Sequence, residues 1–361
     1  MLLLFRSITA AVLVLVFFFL MIRRPPRSTL DRSSAASDVY KRQHLMHGSA
    51  NAIGGQCQTI KHRWGINYPD SLKFEGAPRT IKFALGENPT RVHGKGFSVR
   101  PNTRMGVEQV FRDAFTEAKR YDELKREYEL NKKRNQNLTP PKYNIRLEAL
   151  ADILNGKIEI HCHSYRADEI YMLMKVLKDF GIKKITFQHV NEGYKVAPEL
   201  AKFGAGASVF SDWWSYKFEV YYSTSSNAAI LTRNNVVTSI NSDSPELVRH
   251  LNHEASKSLR YGELNDDEVL KMITINPAKQ LSIDSRIGSI EVGKDADIAI
   301  YNVHPLSVYS SCQKTFVEGI LRFDRDQDPD DMRLFANPSN PIDTFEEFKT
   351  DVDGCMKIGS K

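Results

Sequence analysis

From His44 onward the chain repeats one pattern: an amphipathic stretch, a glycine, a short apolar run, and a polar or metal-capable residue where that run ends. The apolar spacing predicts a helix over Ile145–Leu154, a stop at Gly156, a strand over 157–160, and then His161-Cys162-His163. The next cycle predicts a helix over 167–180, a stop at Gly181, a strand over 182–187, and His189 beyond it. A helix over 198–203 precedes Gly204 and a strand over 205–210, which runs into Ser211-Asp212-Trp213-Trp214. A helix over 226–233 precedes a strand over 236–240, followed by Asn241-Ser242-Asp243. Consecutive strand–helix cycles imply a parallel sheet, because parallel strands need helical crossovers. Polar residues gathered at the carboxyl ends of such strands place a site on the top of a (β/α)8 barrel or at the switch point of an open sheet. No glycine-rich phosphate loop follows a strand, which favours the barrel.

Upstream, a strand over 80–85 carries Lys82 and ends in Gly86-Glu87-Asn88. A long helix follows, with its apolar stripe at Val107, Val110, Phe111, Ala114, Ala118, Tyr121, Leu124 and Tyr128. Its basic end at 132–134 reads as a solvated surface, and Thr139-Pro140-Pro141 breaks it. Downstream, runs at 287–292, 297–302 and 315–324 predict the short strands of a β appendage, and 326–331 a solvated turn. The chain then divides into a leader (1–43), a barrel portion (44–284), a partial β-sandwich (285–325) and a tail (326–361).

His161 and His163 lie two apart on a strand, so both face one side of the sheet and Cys162 the other. With His189 and Asp243 at neighbouring strand ends, imidazoles and a carboxylate meet at one mouth. That donor set suits Zn2+ or a similar divalent ion, one or two of them. His250 and His253, three apart on a helix, read as ordinary surface or packing residues.

Composition changes this picture little. Hydrophobic residues make up 41% and charged residues 26% of 361, as in a globular protein. Seven Lys or Arg against two Asp in residues 1–43 account for +5 of the net charge of +6. The body is therefore nearly neutral, and no nucleic-acid partner is implied. Four scattered cysteines form no C-x-x-C pair, so neither a zinc knuckle nor a disulfide framework is indicated. Residues 1–22 carry one charge, Arg6, and are long enough to span a bilayer core as a helix. Read literally they anchor the chain in a membrane; without them it is expected to be soluble. The string 20–43 resembles translated sequencing-adapter read-through, so the leader is expected to be non-native.

The segment 276–306, NPAKQLSIDSRIGSIEVGKDADIAIYNVHPL, resembles the closing part of the amidohydrolase superfamily, whose barrel leads into a small β-sandwich. HGSANAIGGQ (47–56), IKFALGENP (81–89), IHCHSYRADEI (160–170), FQHVNEG (187–193) and SINSDSPE (239–246) are similar to a branch related to imidazolonepropionase and metal-dependent dipeptidases. The resemblance implies an incomplete TIM barrel, and a metal-dependent hydrolase that cleaves an amide, cyclic amide or peptide-like C–N bond in a small molecule. It implies His161 and His189 as ligands of strands five and six, and Asp243 as the strand-eight carboxylate that binds metal and takes a proton from water. Lys82 falls where related dipeptidases carry a carboxylated lysine bridging two metals; the alternative is a lysine at the barrel mouth paired with Glu87. His163 is expected to steady an oxyanion or orient substrate, and His47, Gln56, Glu87 and Asn88 to line the pocket. The family's first strand ends in an H-x-H pair, and no such pair precedes His47. At most seven barrel strands can be assigned, where closure needs eight. The chain thus reads as an amino-terminally truncated form that is not necessarily active. The competing class is a non-catalytic barrel, membrane-tethered if 1–22 is genuine, that binds a ligand or partner.

Overall fold

A computed structural model of the chain describes residues 16–20, 42–63, 68–92, 99–134, 138–214, 216–244 and 247–327, with 16–20, Arg42 and Arg249 described as backbone. Pro245, Glu246 and the tail from residue 328 on, like most of the leader, lie outside the described residues.

Parallel pairing begins where the cycles begin. Strands β1 (Val16–Leu20), β2 (Arg42–Met46), β3 (Ile53–Lys61), β4 (Arg79–Ala84), β5 (Ile158–Ser164), β6 (Ile185–His189), β7 (Gly206–Val209) and β8 (Val237–Ile240) form one eight-stranded sheet in chain order. β4 to β8 are all parallel. The expectation of a wholly parallel sheet fails at the amino end, where β3 runs antiparallel to both β2 and β4. Only six residues separate β2 from β3, too few for a helical crossover, so they form a hairpin. β1 pairs parallel with β2 and carries VFFFL, without histidine. The sheet has one strand more than the seven the sequence assigned, but among the described residues no pairing joins β8 back to β1, so the architecture is an incomplete TIM barrel. Among the described residues no helix is long and apolar enough to cross a membrane.

Helices α1 (Glu87–Thr90), α2 (Arg104–Asn131), α3 (Ile145–Leu154), α4 (Ala167–Asp179), α5 (Ala197–Phe203), α6 (Asn227–Arg233), α7 (Leu251–Gly262), α8 (Asp266–Met272) and α9 (Ile275–Gln280) follow in order. Residues left to solvate their own ends are capped locally: Asn144 accepts from the amides of Arg146 and Leu147 at the start of α3, and Asn265 and Glu268 form a capping box on α8. The main core lies between strands and helices. Phe83 of β4 stacks on Phe111 of α2 with ring centroids 5.2 Å apart, and Ile81, Cys162, Phe187 and Ala207 join the same buried cluster. Strand alternation then turns Lys82, His161 and His163 to the opposite, inner side of the sheet.

The appendage departs from the sequence reading in two places. Residues 287–292 are not a strand: Gly288 and Gly293 have φ of +99° and +94°, and amide bonds from Lys294 to Glu291 and Asp295 to Arg286 close turns there. The single strand expected over 315–324 is a hairpin, β10 (Cys312–Val317) and β11 (Ile320–Asp324), turning at Glu318 and Gly319, both at positive φ. With β9 (Ile298–Tyr301) they make a three-stranded antiparallel sheet in the order β11-β10-β9.

One buried cation ties this sheet to the barrel. Lys61, 1% exposed at the end of β3, pairs with Asp295 at 3.0 Å and with Glu318. Arg63 reaches Glu318 at 2.8 Å. Those cations hold the Glu318 carboxyl down at about 2, against an ordinary value of 4.5. A folded-state value below the unfolded one stabilises the fold above the unfolded value, and the contribution disappears as pH falls from about 4.5 to about 2. Glu318→Gln is therefore expected to destabilise the chain by about 2 kcal/mol near neutrality. In urea melts at a series of pH values, the gap between variant and parent should close across that acid window; a gap independent of pH would show that the pair does not carry it.

Candidate active site

The inner face of the parallel strands is polar in successive rows. Lys82 lies opposite His161 across β4 and β5. His163 lies opposite Gln188, Gln188 opposite Ser208, and Ser208 opposite Ser239 across β5 to β8. All of these side chains are buried. Since Gln188 shares the inner face with His163, simple alternation would send His189 outward into the apolar layer. Instead the backbone leaves the strand region at that point, with φ of +71° at His189 and +49° at Val190. A β-branched residue in the left-handed region is strained, and this pair turns the His189 ring over the end of the strand.

There His189 meets the other candidates. Its Nε2 lies 4.0 Å from Asp243 Oδ2, and its ring centroid 4.8 Å from that of His163. It is sandwiched between Tyr165 at 5.5 Å and Phe210 at 4.3 Å, with Trp213 stacked on Phe210 at 4.4 Å. The plane of this imidazole is fixed by ring stacking rather than by hydrogen bonds. Neither of its nitrogens makes a bond of normal geometry, although the Asn241 amide lies close enough to oppose the fall in its pKa. A chain of amides supports the neighbouring row: Asn241 donates to the Ser208 carbonyl at 3.0 Å and to Gln188 Oε1 at 3.1 Å, and Gln188 Nε2 lies 3.2 Å from His161 Nδ1.

Lys82 is the electrostatic centre. Its ammonium nitrogen is fully buried and has no hydrogen-bond partner among the described residues. Burial lowers its pKa, opposed by the charge of Asp243. Burial also lowers the histidines, to about 3 for His161 and well below the usual range for His44, His163 and His189, with Lys82 adding to the fall in each. The imidazoles are therefore neutral, the state in which a ring nitrogen can bind a metal. Burial raises Asp243, while Lys82 and Lys217 pull it back.

Not every residue singled out in the sequence arrives here. His47 is tied to its own loop, Nδ1 to the Gly48 carbonyl at 2.7 Å and Nε2 to the Gly55 amide at 2.6 Å, over a glycine, Gly54, whose added Cβ would strike the ring at 2.1 Å. Gln56 is exposed on β3 opposite Ile81 and accepts from Arg79 at 3.1 Å, on the outer side of the sheet. Glu87 lies by the mouth but faces Lys217 and Arg91, both at 3.6 Å, rather than Lys82. His250 and His253 stack on each other with centroids 5.5 Å apart. Sequence reasoning passed over His44, whose ring lies 4.8 Å from that of His161 and whose nitrogens meet Thr59 at 2.9 Å and Thr80 at 3.2 Å. It also passed over Tyr165, Gln188 and Lys217. Gln188 lies one residue before His189 at the end of its apolar run, directly opposite His163, where strand pairing could have found it; Lys217 sits in an irregular loop with no periodic signal.

This fold is shared with a solved amidohydrolase from Thermotoga maritima, 31% identical, which superposes with a TM-score of 0.73 over 81% of this chain and 74% of that one. The chain belongs to the amidohydrolase family. Residues 218–326 match the amidohydrolase family on their own account. The amidohydrolase tasK of Hapsidospora irregularis is 30% identical over 305 residues, which cover 78% of this chain and 30% of that protein, so the chain spans about a third of that relative's length. An imidazolonepropionase of Thermoplasma volcanium is 34% identical over 74 residues.

Amidohydrolases of this superfamily typically hold divalent metal. Among the described residues no group of three or more His, Cys, Asp or Glu side chains stands at ligand spacing. The donor chemistry nevertheless fits a cation in part: neutral buried imidazoles at His161 and His189, a carboxylate 4.0 Å from the second, and an orphaned buried amine at Lys82. A fold seldom keeps such a set without something for it to bind, because each unsatisfied buried polar atom costs about 1 to 3 kcal/mol. Lys82→Met is accordingly expected to raise the stability of the metal-free chain, by about 1 to 3 kcal/mol. Thermal melts measure this directly, and a less stable variant would show that the lysine serves the fold itself.

Proposed function

We propose that the chain is the barrel portion of a metal-dependent hydrolase that cleaves an amide, cyclic amide or peptide-like C–N bond in a small molecule. The observation that supports this most is the approach of Asp243 to His189 at the carboxyl ends of parallel strands, beside the buried, unpartnered amine of Lys82. Ordinary packing does not require that combination. In this reading His161, His189, Asp243 and Lys82 hold one or two divalent ions, Zn2+ being the natural choice for imidazole and carboxylate donors. Such an ion, when bound, polarises the scissile carbonyl and makes water acidic enough to attack near neutral pH.

The remaining work falls to the protein's own groups. Asp243, its pKa raised by burial, accepts a proton from the attacking water and hands it to the departing nitrogen, which leaves as a neutral amine. Burial lowers the pKa of Lys82, which makes its neutral amine easier to reach. A neutral amine can add carbon dioxide with loss of a proton, which gives the carboxylated lysine that the dipeptidase likeness implies. His163 steadies the oxyanion that forms on the carbonyl oxygen. Tyr165 and Phe210 keep the His189 ring in plane, and Trp213 extends that wall towards solvent.

Two substitutions test the assignment in Zn2+-loaded protein assayed against a panel of dipeptides, N-acyl amino acids and cyclic amides. Asp243→Asn is expected to lower turnover by at least about a thousandfold while leaving most of the metal bound; unchanged hydrolysis removes Asp243 from the mechanism. His161→Ala is expected to lose metal by elemental analysis, and full occupancy would reject it as a ligand. A barrel that binds no Zn2+ and hydrolyses nothing in the panel would instead fit a non-catalytic binding protein.

A further inference from the structure

The loop after β7 sends one cation back across the mouth. Lys217 lies over the Tyr165 ring, 4.0 Å from its centroid, with its ammonium 3.1 Å from Glu219 and 3.6 Å from Glu87. The same nitrogen is 3.5 Å from Asn88 Oδ1, and Asn88 Nδ2 is 3.2 Å from His163 Nε2. Glu219 is buried and itself anchored, by the Glu87 amide at 2.9 Å and by Arg104 at 2.6 Å.

The direction of this chain follows from donor chemistry. An ammonium has protons and no lone pair, so Asn88 Oδ1 must accept from Lys217. The amide's other end is then an NH2 group, which donates to His163 Nε2. A ring nitrogen that accepts carries no proton, so a neutral His163 ring bears its proton on Nδ1. That nitrogen is buried, in a ring 4.8 Å from the His189 ring, and has no hydrogen-bond partner among the described residues. A buried donor without an acceptor is costly, and it is relieved when an oxygen enters the site.

We propose that Lys217 and Asn88 are positioning residues that lock His163 in the Nδ1–H tautomer, so that this N–H donates to the carbonyl oxygen of the substrate as negative charge develops there. The proposal rests on the hydrolase reading for the use of that donor, but not for its existence.

The two parts separate experimentally. Nitrogen-15 NMR of the metal-free full chain, with the His163 signals assigned by comparison with His163→Gln, should show a protonated Nδ1 and an unprotonated Nε2. Asn88→Asp presents only acceptors, so the proton should move to Nε2. Lys217→Met should leave a mixture, and Lys217→Arg, which still only donates, should keep Nδ1–H. Protonation at Nε2 in the parent chain, or a tautomer indifferent to Asn88→Asp, overturns the relay. In Zn2+-loaded protein Asn88→Asp should lower kcat about 100-fold or more, as loss of one oxyanion donor does, with metal content unchanged. A reversed tautomer with full turnover overturns the role of the donor. Absence of hydrolysis in the parent, with Nδ1–H confirmed, removes the hydrolase reading and the catalytic use together while leaving the relay standing.

Discussion

A single buried amine sets the terms for the rest of the inner face. Lys82 has apolar neighbours on either side in sequence, Ile81 and Phe83, and both take the outer face that packs under the helices. Strand alternation leaves the lysine no choice but the interior. It is fully buried there, and no carboxylate lies close enough to form an ion pair with it among the described residues. Its charge therefore acts at a distance on every titratable group nearby, discouraging protons on His44, His161, His163 and His189 and drawing one off Asp243. The site is a set of lone pairs gathered around one positive charge. A structural core would avoid such an arrangement, because a buried charge without a close partner is costly.

Its rigidity comes from two different sources on its two sides. On the β5–β8 side, amides hold the row: Asn241 fixes Gln188, and Gln188 meets His161. At the mouth, stacking takes over, with Tyr165, His189, Phe210 and Trp213 forming one continuous pile and Lys217 lying over its end. Stacked rings fix a plane without occupying a nitrogen. That leaves His189 able to present either edge, a freedom that a hydrogen-bonded imidazole lacks.

The sequence made the repeating half of this molecule legible because each cycle obeys one rule: apolar period, glycine stop, apolar run, polar end. The helix over Ile145–Leu154 falls where it was expected, and β4 to β8 lie within a few residues of their expected positions. Legibility ended where a rule of the same kind was missing. β3, with Gly54, Gly55, Gln56, Gln58 and Thr59 inside it, lacks strand-like periodicity and owes its conformation to its neighbours β2 and β4. Residues 287–292 have the opposite character, rich in β-branched residues like a strand but containing a glycine with φ of +99° that packs against Ile275 and Ala278.

The site divides along the same line. His161 and His163 were readable because period two alone puts them on one face. His189 arrives by a different route, since the same period would have turned it away from them. What brings it in is the left-handed pair His189-Val190, held by amide bonds from Val190 to Ser164 and from Phe210 back to His189. A strained valine is tolerated only where surrounding contacts over-determine it. Val190 is completely buried against Gly193, whose added Cβ would lie 2.5 Å from it. Gly193 thus gives the valine room, the valine's backbone swings the imidazole, and the imidazole reaches Asp243. Part of the site's geometry is therefore written in FQHVNEG by a glycine that never touches the chemistry.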